Sequence, residues 1–225
     1  MVHCMAPIRG SVIDLMAALR KRLMAETVST LSIRNLYVPA FVELLKIYGP
    51  EKTIKTFFRW GFQMGHDFML ELRKSAEKIK MHNPSERAAV ARAAWYMFLG
   101  TKPEVKVWEE EIAGEKLFFI RIIDRDSPIT RGVTLSARVP LCSYAAGAYE
   151  GATQTVFALQ EANYFALTRE IKCRAASDKH CEIIVVDVPM EVLDRVAPEL
   201  ERRFPGFFKY IDLEFSKKLR EMTTI

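Results

Sequence analysis

No segment of this 225-residue sequence approaches the roughly 18 uninterrupted apolar residues that a membrane-spanning helix requires. Dense basic blocks are missing too. The 33 lysines and arginines are scattered, residues 139–168 contain none, and the formal net charge is only +5. That argues against a nucleic-acid partner or an anionic membrane, whose phosphates are met by clustered cations. A glycine-rich phosphate loop, a nucleophile elbow, internal repeats and low-complexity runs are likewise absent. The opening Met1-Val-His-Cys-Met-Ala lacks the basic-then-apolar layout of a secretory signal, and Asp14 and Arg20 interrupt the first apolar run. The expectation is a soluble cytoplasmic protein with reduced cysteines, a setting that favours metal ligation over disulfides.

Half of the residues are hydrophobic and 27% are charged, which is enough apolar mass for a sizeable core. Residues 1–100 carry helical periodicity. Ser11 caps a run with Val12, Leu15, Met16 and Leu19 on one face, and Pro39 stands near the first turn of a second run that Gly49-Pro50 ends. A third helix is expected over 51–78. Asn83-Pro84-Ser85-Glu86 then combines a cap, a first-turn proline and an acidic third position, opening a helix that stops at Gly100. Beyond it the period changes to two. Val105–Glu109 and Leu117–Ile123 flank Ala113-Gly114 as a hairpin. Pro140 opens an alanine-rich helix to about Leu159. A second hairpin follows over 163–173 and 181–188, and helical stretches over 190–203 and 206–222 close the chain. The reading is one α+β domain over 1–225, with an antiparallel sheet made of two hairpins and packed with several helices.

Three of the four cysteines lie between Cys142 and Cys181, and Glu170 stands three residues before Cys173. Three thiolates and a carboxylate satisfy a four-coordinate zinc ion. Cys173 and Cys181 flank the hairpin connection, and Cys142 falls in the first turn of a helix, whose end amides favour a thiolate. Arg169, Lys172, Arg174 and Lys179 are near enough in sequence to offset the net negative charge. Parity stands against Glu170, because residues an odd number apart face opposite sides of a regular strand. Both Glu170 and Cys173 reach one metal only if the strand bulges there; otherwise Asp178, His180 or water takes the fourth position. Buried thiols and a disulfide remain the other readings, and Cys4 is an incidental thiol.

The runs Cys142-Ser-Tyr-Ala-Ala-Gly147-Ala-Tyr-Glu-Gly151, Glu170-Ile-Lys-Cys173-Arg-Ala and Ser177-Asp178-Lys-His-Cys181-Glu resemble the 4-vinyl reductase domain family. Its wider superfamily includes subunits of the TRAPP vesicle-tethering complex, which the upstream helices also resemble at Phe62-Gln-Met-Gly65. The motif-bearing core is about 137–188. The resemblance implies a TRAPP-subunit-like ligand-binding fold and a structural zinc held by Cys142, Glu170, Cys173 and Cys181. Ser177 replaces the family's usual glycine, Ile183 stands where an aromatic is common, and the stretch from Gly151 to Glu170 is longer than in the aromatic sensors.

Family members hold apolar or aromatic ligands between helices and sheet. Phe57, Phe58, Met64, Phe68, Trp95, Tyr96 and Phe98 are read here as core rather than as a ligand box. Gly61 and Gly65 are read as a helix-packing site, and His66-Asp67 as a surface or capping pair. The expectation is a zinc-stabilised, homodimeric module that binds an apolar small molecule and is not an enzyme, since a full protein ligand set leaves zinc no position for water. The alternative is an interaction subunit of the tethering-complex type. A reductase acting on a tetrapyrrole-like vinyl group stands third, without a cofactor motif.

Overall fold

A computed structural model describes residues 30–81, 83–135 and 138–209, with 214, 217 and 218. The chain enters on a long helix, α1 (Thr30–Glu71), bent where Gly49 takes φ 76° and ψ 173° before Pro50. Helix α1 begins upstream of the expected start near Pro39, which stands exposed inside it. A proline inside a helix forfeits a hydrogen bond. The face carrying Tyr37 and Phe41 nevertheless continues across it into the core, and burial of those rings holds the helix together. A short α2 (Arg73–Ala76) precedes α3 (Pro84–Leu99). Helix α3 is bounded as expected: Asn83 Oδ1 accepts from Glu86 N, and Gly100 closes it in the left-handed region. The run at Ser11 and Cys4 lie outside the described residues, as does most of the stretch 206–222, whose residues 206–209 are turns.

Strands β1 (Glu104–Ile112) and β2 (Glu115–Asp124) form the first hairpin, with positive φ at both Ala113 and Gly114. Two such residues match the twist of the flanking strands. After a long loop comes α4 (Ser143–Leu159), which starts three residues beyond Pro140. The second hairpin is β3 (Tyr164–Lys172) and β4 (Cys181–Pro189), and α5 (Leu193–Arg203) follows a short 3₁₀ turn. The two hairpins join through β2 and β4 into one antiparallel sheet of order β1-β2-β4-β3. This is the expected α+β arrangement. Strand β4 is central, and Ile183-Ile184-Val185-Val186 is buried on both faces. Alternation sorts its side chains: Ile183 and Val185 join the core under the long helices, while Ile184 and Val186 join a second core with Phe119, Leu200 and Phe207. The sheet is therefore covered on both faces, by α1, α3 and α4 on one and by α5 with residues 204–208 on the other.

Helix α4 sets the position of the rest. A Cβ placed on Gly61 would lie 2.0 Å from Tyr144 O, and one on Gly65 would lie 2.0 Å from Ala148 O. Reciprocally, a Cβ on Gly147 or Gly151 would lie 2.1 Å from Phe58 O or Phe62 O. The four glycines bring the two helix backbones into direct contact, as the packing interpretation of Gly61 and Gly65 requires. From that position α4 covers the outer edge of β3: Gln154 Nε2 donates to Ala166 O at 3.0 Å, and Glu150 Oε2 accepts from Thr168 N at 2.6 Å. Backbone groups that would template another strand are thereby satisfied from within.

The connection from β3 to β4 is a tight turn. Ala176 N and Asp178 N both donate to Cys173 O, and Asp178 Oδ2 accepts from Cys173 N at 2.8 Å. Ser177 sits in this turn at φ 78°, a left-handed conformation that glycine adopts at no steric cost.

Gly61→Ala would gain up to about 1 kcal/mol from helix propensity alone. The backbone collision reverses the sign, and a net loss of about 2–4 kcal/mol is expected in chemical denaturation. Ser177→Gly relieves the left-handed strain and should add about 0.5–1 kcal/mol in the same assay.

Candidate metal centre

The four residues named by the motif converge. Ligand atoms of Cys142, Glu170, Cys173 and Cys181 all lie within 4.8 Å of one another. Each arrives by a different route. Cys142 immediately precedes α4, Glu170 lies near the end of β3, Cys173 follows that strand, and Cys181 opens β4. The parity conflict is resolved by a bulge. Glu170 pairs with Ile183 but Lys172 pairs with Glu182, so Ile171 is an extra residue in the ladder. One inserted residue restores Glu170 and Cys173 to the same side. Asp178 instead braces the turn through Cys173 N, and His180 hydrogen-bonds Glu182 at 3.0 Å, so neither takes the fourth position.

The surrounding groups orient the cluster. Leu141 N donates to Cys173 Sγ at 3.2 Å, and Thr130 Oγ1 lies 3.4 Å from Cys181 Sγ. Thr130 was missed from sequence because it comes from the loop after β2, fifty-one residues from its partner. The helix-end amide expected to favour a thiolate at Cys142 serves Glu170 instead: Cys142 N donates to Glu170 Oε2 at 2.7 Å. The buried Tyr37 hydroxyl donates to Leu141 O. Burial first, and then the charge of nearby Cys142, pushes that phenol well up.

All three cysteines are free and buried, which removes the disulfide reading. Cys181 is held down to about 4 by hydrogen bonds from Cys142 and then Cys173. Cys142 is pushed well up because ionising it breaks its bonds to Cys173 and Cys181 and leaves a buried charge. At Cys173 the hydrogen bond with Cys142 pulls downward, but donation to Cys181 and burial outweigh it, and the thiol is raised. Glu170 is raised well above the carboxylate range by burial and then by Cys173.

These residues fit a divalent ion. Zinc–thiolate bonds of about 2.3 Å at tetrahedral angles set two sulfurs about 3.8 Å apart, and the Cys142 and Cys181 sulfurs are 3.7 Å apart. Glu170 Oε1 is sealed from solvent yet has no hydrogen-bond partner among the described residues. A cation would satisfy that oxygen and favour loss of the remaining protons.

The expected charge compensation is not there. Arg169 pairs with Glu150 at 2.8 Å, Lys172 with Glu182 at 2.7 Å, and Arg174 with Arg125 O and Asp126, while Lys179 is exposed. Their direction was not readable from sequence, because each partner lies on another element or beyond the turn. His66 also departs from expectation. It is buried, since it follows Phe62 by one helical turn and so shares its inward face, and it hydrogen-bonds Asp67 at 3.0 Å.

A cleft of about 440 Å³ adjoins the cluster, with Glu170 and Cys173 in its wall. Ile54 and Phe58 of α1, Thr168 and Arg169 of β3, and Phe204 and Phe207 after α5 line it. Of the aromatic stripe read as core, Phe57, Phe58 and Trp95 are buried and Phe68 packs on Phe98 at 5.3 Å, but Tyr96 is exposed because it points away from the sheet-facing side of α3. Only Phe58 of that stripe reaches the cleft. The wall at 204–207 carried no signal in sequence, because a turn after a helix has no period to read.

No protein-family model and no curated protein matches the sequence. Solved structures do. One is the trafficking protein particle complex subunit 3 from Naegleria fowleri covalently bound to palmitic acid, with TM-score 0.55 and 21% identity, over 72% of this chain and 96% of that one. Another is the phenol-responsive sensory domain of the transcription activator PoxR with phenol, with TM-score 0.53 and 20% identity, over 91% of this chain and 100% of that one. At these identities the likeness is one of fold: a four-stranded antiparallel sheet with helices, shared with a TRAPP subunit and a sensory domain.

Proposed function

We propose that this chain is a single metal-stabilised domain that binds an apolar or aromatic small molecule, with zinc held by Cys142, Glu170, Cys173 and Cys181. The observation that carries this reading is the shared wall: Glu170 and Cys173 belong both to the four-ligand cluster and to the adjoining cleft. Bound zinc would offset part of the ligands' negative charge and tie the bulged end of β3 to α4 and β4, stiffening one side of the cleft. The chain's own residues do the binding, with Ile54, Phe58, Phe204 and Phe207 supplying apolar surface. Four protein ligands leave zinc no position for a reacting water, which favours a structural over a catalytic ion. The phenol named for the sensory domain and the palmitic acid named for the trafficking subunit are both small apolar-bodied molecules, and they support a binding role for this fold.

The second reading is an interaction subunit, which the likeness in fold to the trafficking subunit supports. Mass spectrometry of the purified protein separates the two, since a stoichiometric co-purified small molecule belongs to the first. A homodimer is part of the proposal. Leu36, Ile47, Tyr48 and Trp60 present apolar surface outward from α1, and sedimentation should give twice the 25.8 kDa chain mass; a monomer at micromolar concentration removes that element.

Elemental analysis should find about one zinc per chain near neutral pH, declining on acidification as the raised thiols and Glu170 regain their protons. Cys173→Ser should lose the metal and lower the melting temperature by roughly 10 °C or more, the effect of losing several kcal/mol. A metal-free wild type, with the variant melting unchanged, would overturn the zinc assignment.

A further inference from the structure

The register of the second hairpin carries past its last paired residues. Beyond the bulge, Lys172 stands opposite Glu182, so the next residue on each strand, Cys173 and Cys181, face one another. Cys173 keeps an extended backbone, with φ −139° and ψ 126°, and Cys181 is the first residue of β4. The Cys173 N–H donates to Asp178 Oδ2 and its C=O accepts from Ala176 N and Asp178 N, so both groups are engaged within the turn. Opposed residues that do not exchange backbone hydrogen bonds have Cα atoms about 4.5 Å apart and side chains on one face. Disulfides span Cα separations of about 4.4–6.8 Å. Both sulfurs belong to the cluster whose ligand atoms all lie within 4.8 Å of one another, and both thiols are free.

The third cysteine is placed differently. Cys142 Sγ is 3.7 Å from Cys181 Sγ, but Cys142 stands at the start of α4, where no ladder sets its backbone opposite either partner. Of the three cysteines, Cys173 is the one in the cleft wall. A small oxidant arriving by the cleft therefore meets Cys173 first, and the cysteine that faces it across the strands is Cys181.

We infer that Cys173 and Cys181 are an oxidisable pair, which a hydroperoxide closes into a cross-strand disulfide when the metal is absent. The Cys173 sulfur attacks the terminal oxygen of the hydroperoxide and the O–O bond breaks. The products are a sulfenic acid and one alcohol, or water from hydrogen peroxide, which carries away the Cys173 proton. The Cys181 sulfur then attacks that of Cys173. The S–S bond forms, the S–O bond breaks, and the departing hydroxide leaves as water with the Cys181 proton. Each sulfur loses one electron, and the peroxide gains both. The bridge consumes two of the four ligands, and Cys142 with Glu170 is too small a set for zinc. Metal and disulfide therefore exclude one another. That exclusion rests on the zinc reading above, whereas the pairing rests on the strand register alone.

The test is peptide mapping without reductant, after hydrogen peroxide is added to the full-length protein in excess chelator or in excess zinc. In chelator, the Cys173 peptide should be found joined to the Cys181 peptide, lighter by two hydrogens, with Cys142 and Cys4 still open to alkylation. In zinc, closure should be about tenfold slower or more, because only the metal-free fraction reacts. Reduction of the bridged protein should restore zinc uptake. A dominant bridge through Cys142, random pairing among the four cysteines, or oxidised Cys173 without a bridge would overturn the pairing. Closure at one rate in both samples, in a protein that does hold zinc when reduced, would overturn the exclusion. A reduced protein that takes up no zinc would overturn the zinc reading and the exclusion together, and the map in chelator would still decide the pairing.

Discussion

The main chains of α1 and α4 touch, and most of the molecule is placed by that contact. Gly61, Gly65, Gly147 and Gly151 remove the side chains that would hold the helices apart. Close approach fixes α4 both along and around its axis, because each glycine faces a carbonyl of the opposite helix. Glu150 and Gln154 then fall opposite the edge of β3, and the N-terminus of α4 meets the end of that strand. A shift of one helical turn would separate Cys142 from Glu170 and uncover the strand edge together.

At the other end of this chain of dependence stands a single inserted residue. Ile171 changes the parity of β3, so side chains that a regular strand would send to opposite faces meet at one point. The resulting cluster is electrostatically lopsided. Burial and mutual hydrogen bonding favour the thiolate at Cys181 and the protonated forms of Cys142, Cys173 and Glu170. Neighbouring cations do little to relieve this, since they are bound to Glu150, Glu182 and Asp126. A dication is what such a donor set lacks.

Local chemistry was legible in the sequence and long-range direction was not. The cap at Asn83 and the turn at Ala113-Gly114 each depend on residues within a few positions and stand as read, while Gly49-Pro50, read as a helix end, is a sharp bend within α1. The bulge was deducible as a condition, because Glu170 and Cys173 need it to meet. Pro39 misled, since tertiary burial of Tyr37 and Phe41 overrides the local preference for a helix start. Arg169 looked like a counter-ion for its neighbour Glu170 but turns to Glu150 on α4, nineteen residues away, and to Phe207. The far wall of the cleft, from the turn after α5, was invisible for the same reason.

Glu170 faces two ways at once. One oxygen is tied to the start of α4, the other is unmet within the cluster, and the residue also forms part of the cleft wall. Two sites that share a side chain are thermodynamically linked, and linkage is reciprocal: whatever factor an occupant of one imposes on the other is returned in full. Under the metal-stabilised, ligand-binding reading proposed above, the response threshold would not be a property of the ligand alone. It would slide with the free metal concentration around the domain, so that the same chain would be tuned differently in metal-replete and metal-starved surroundings.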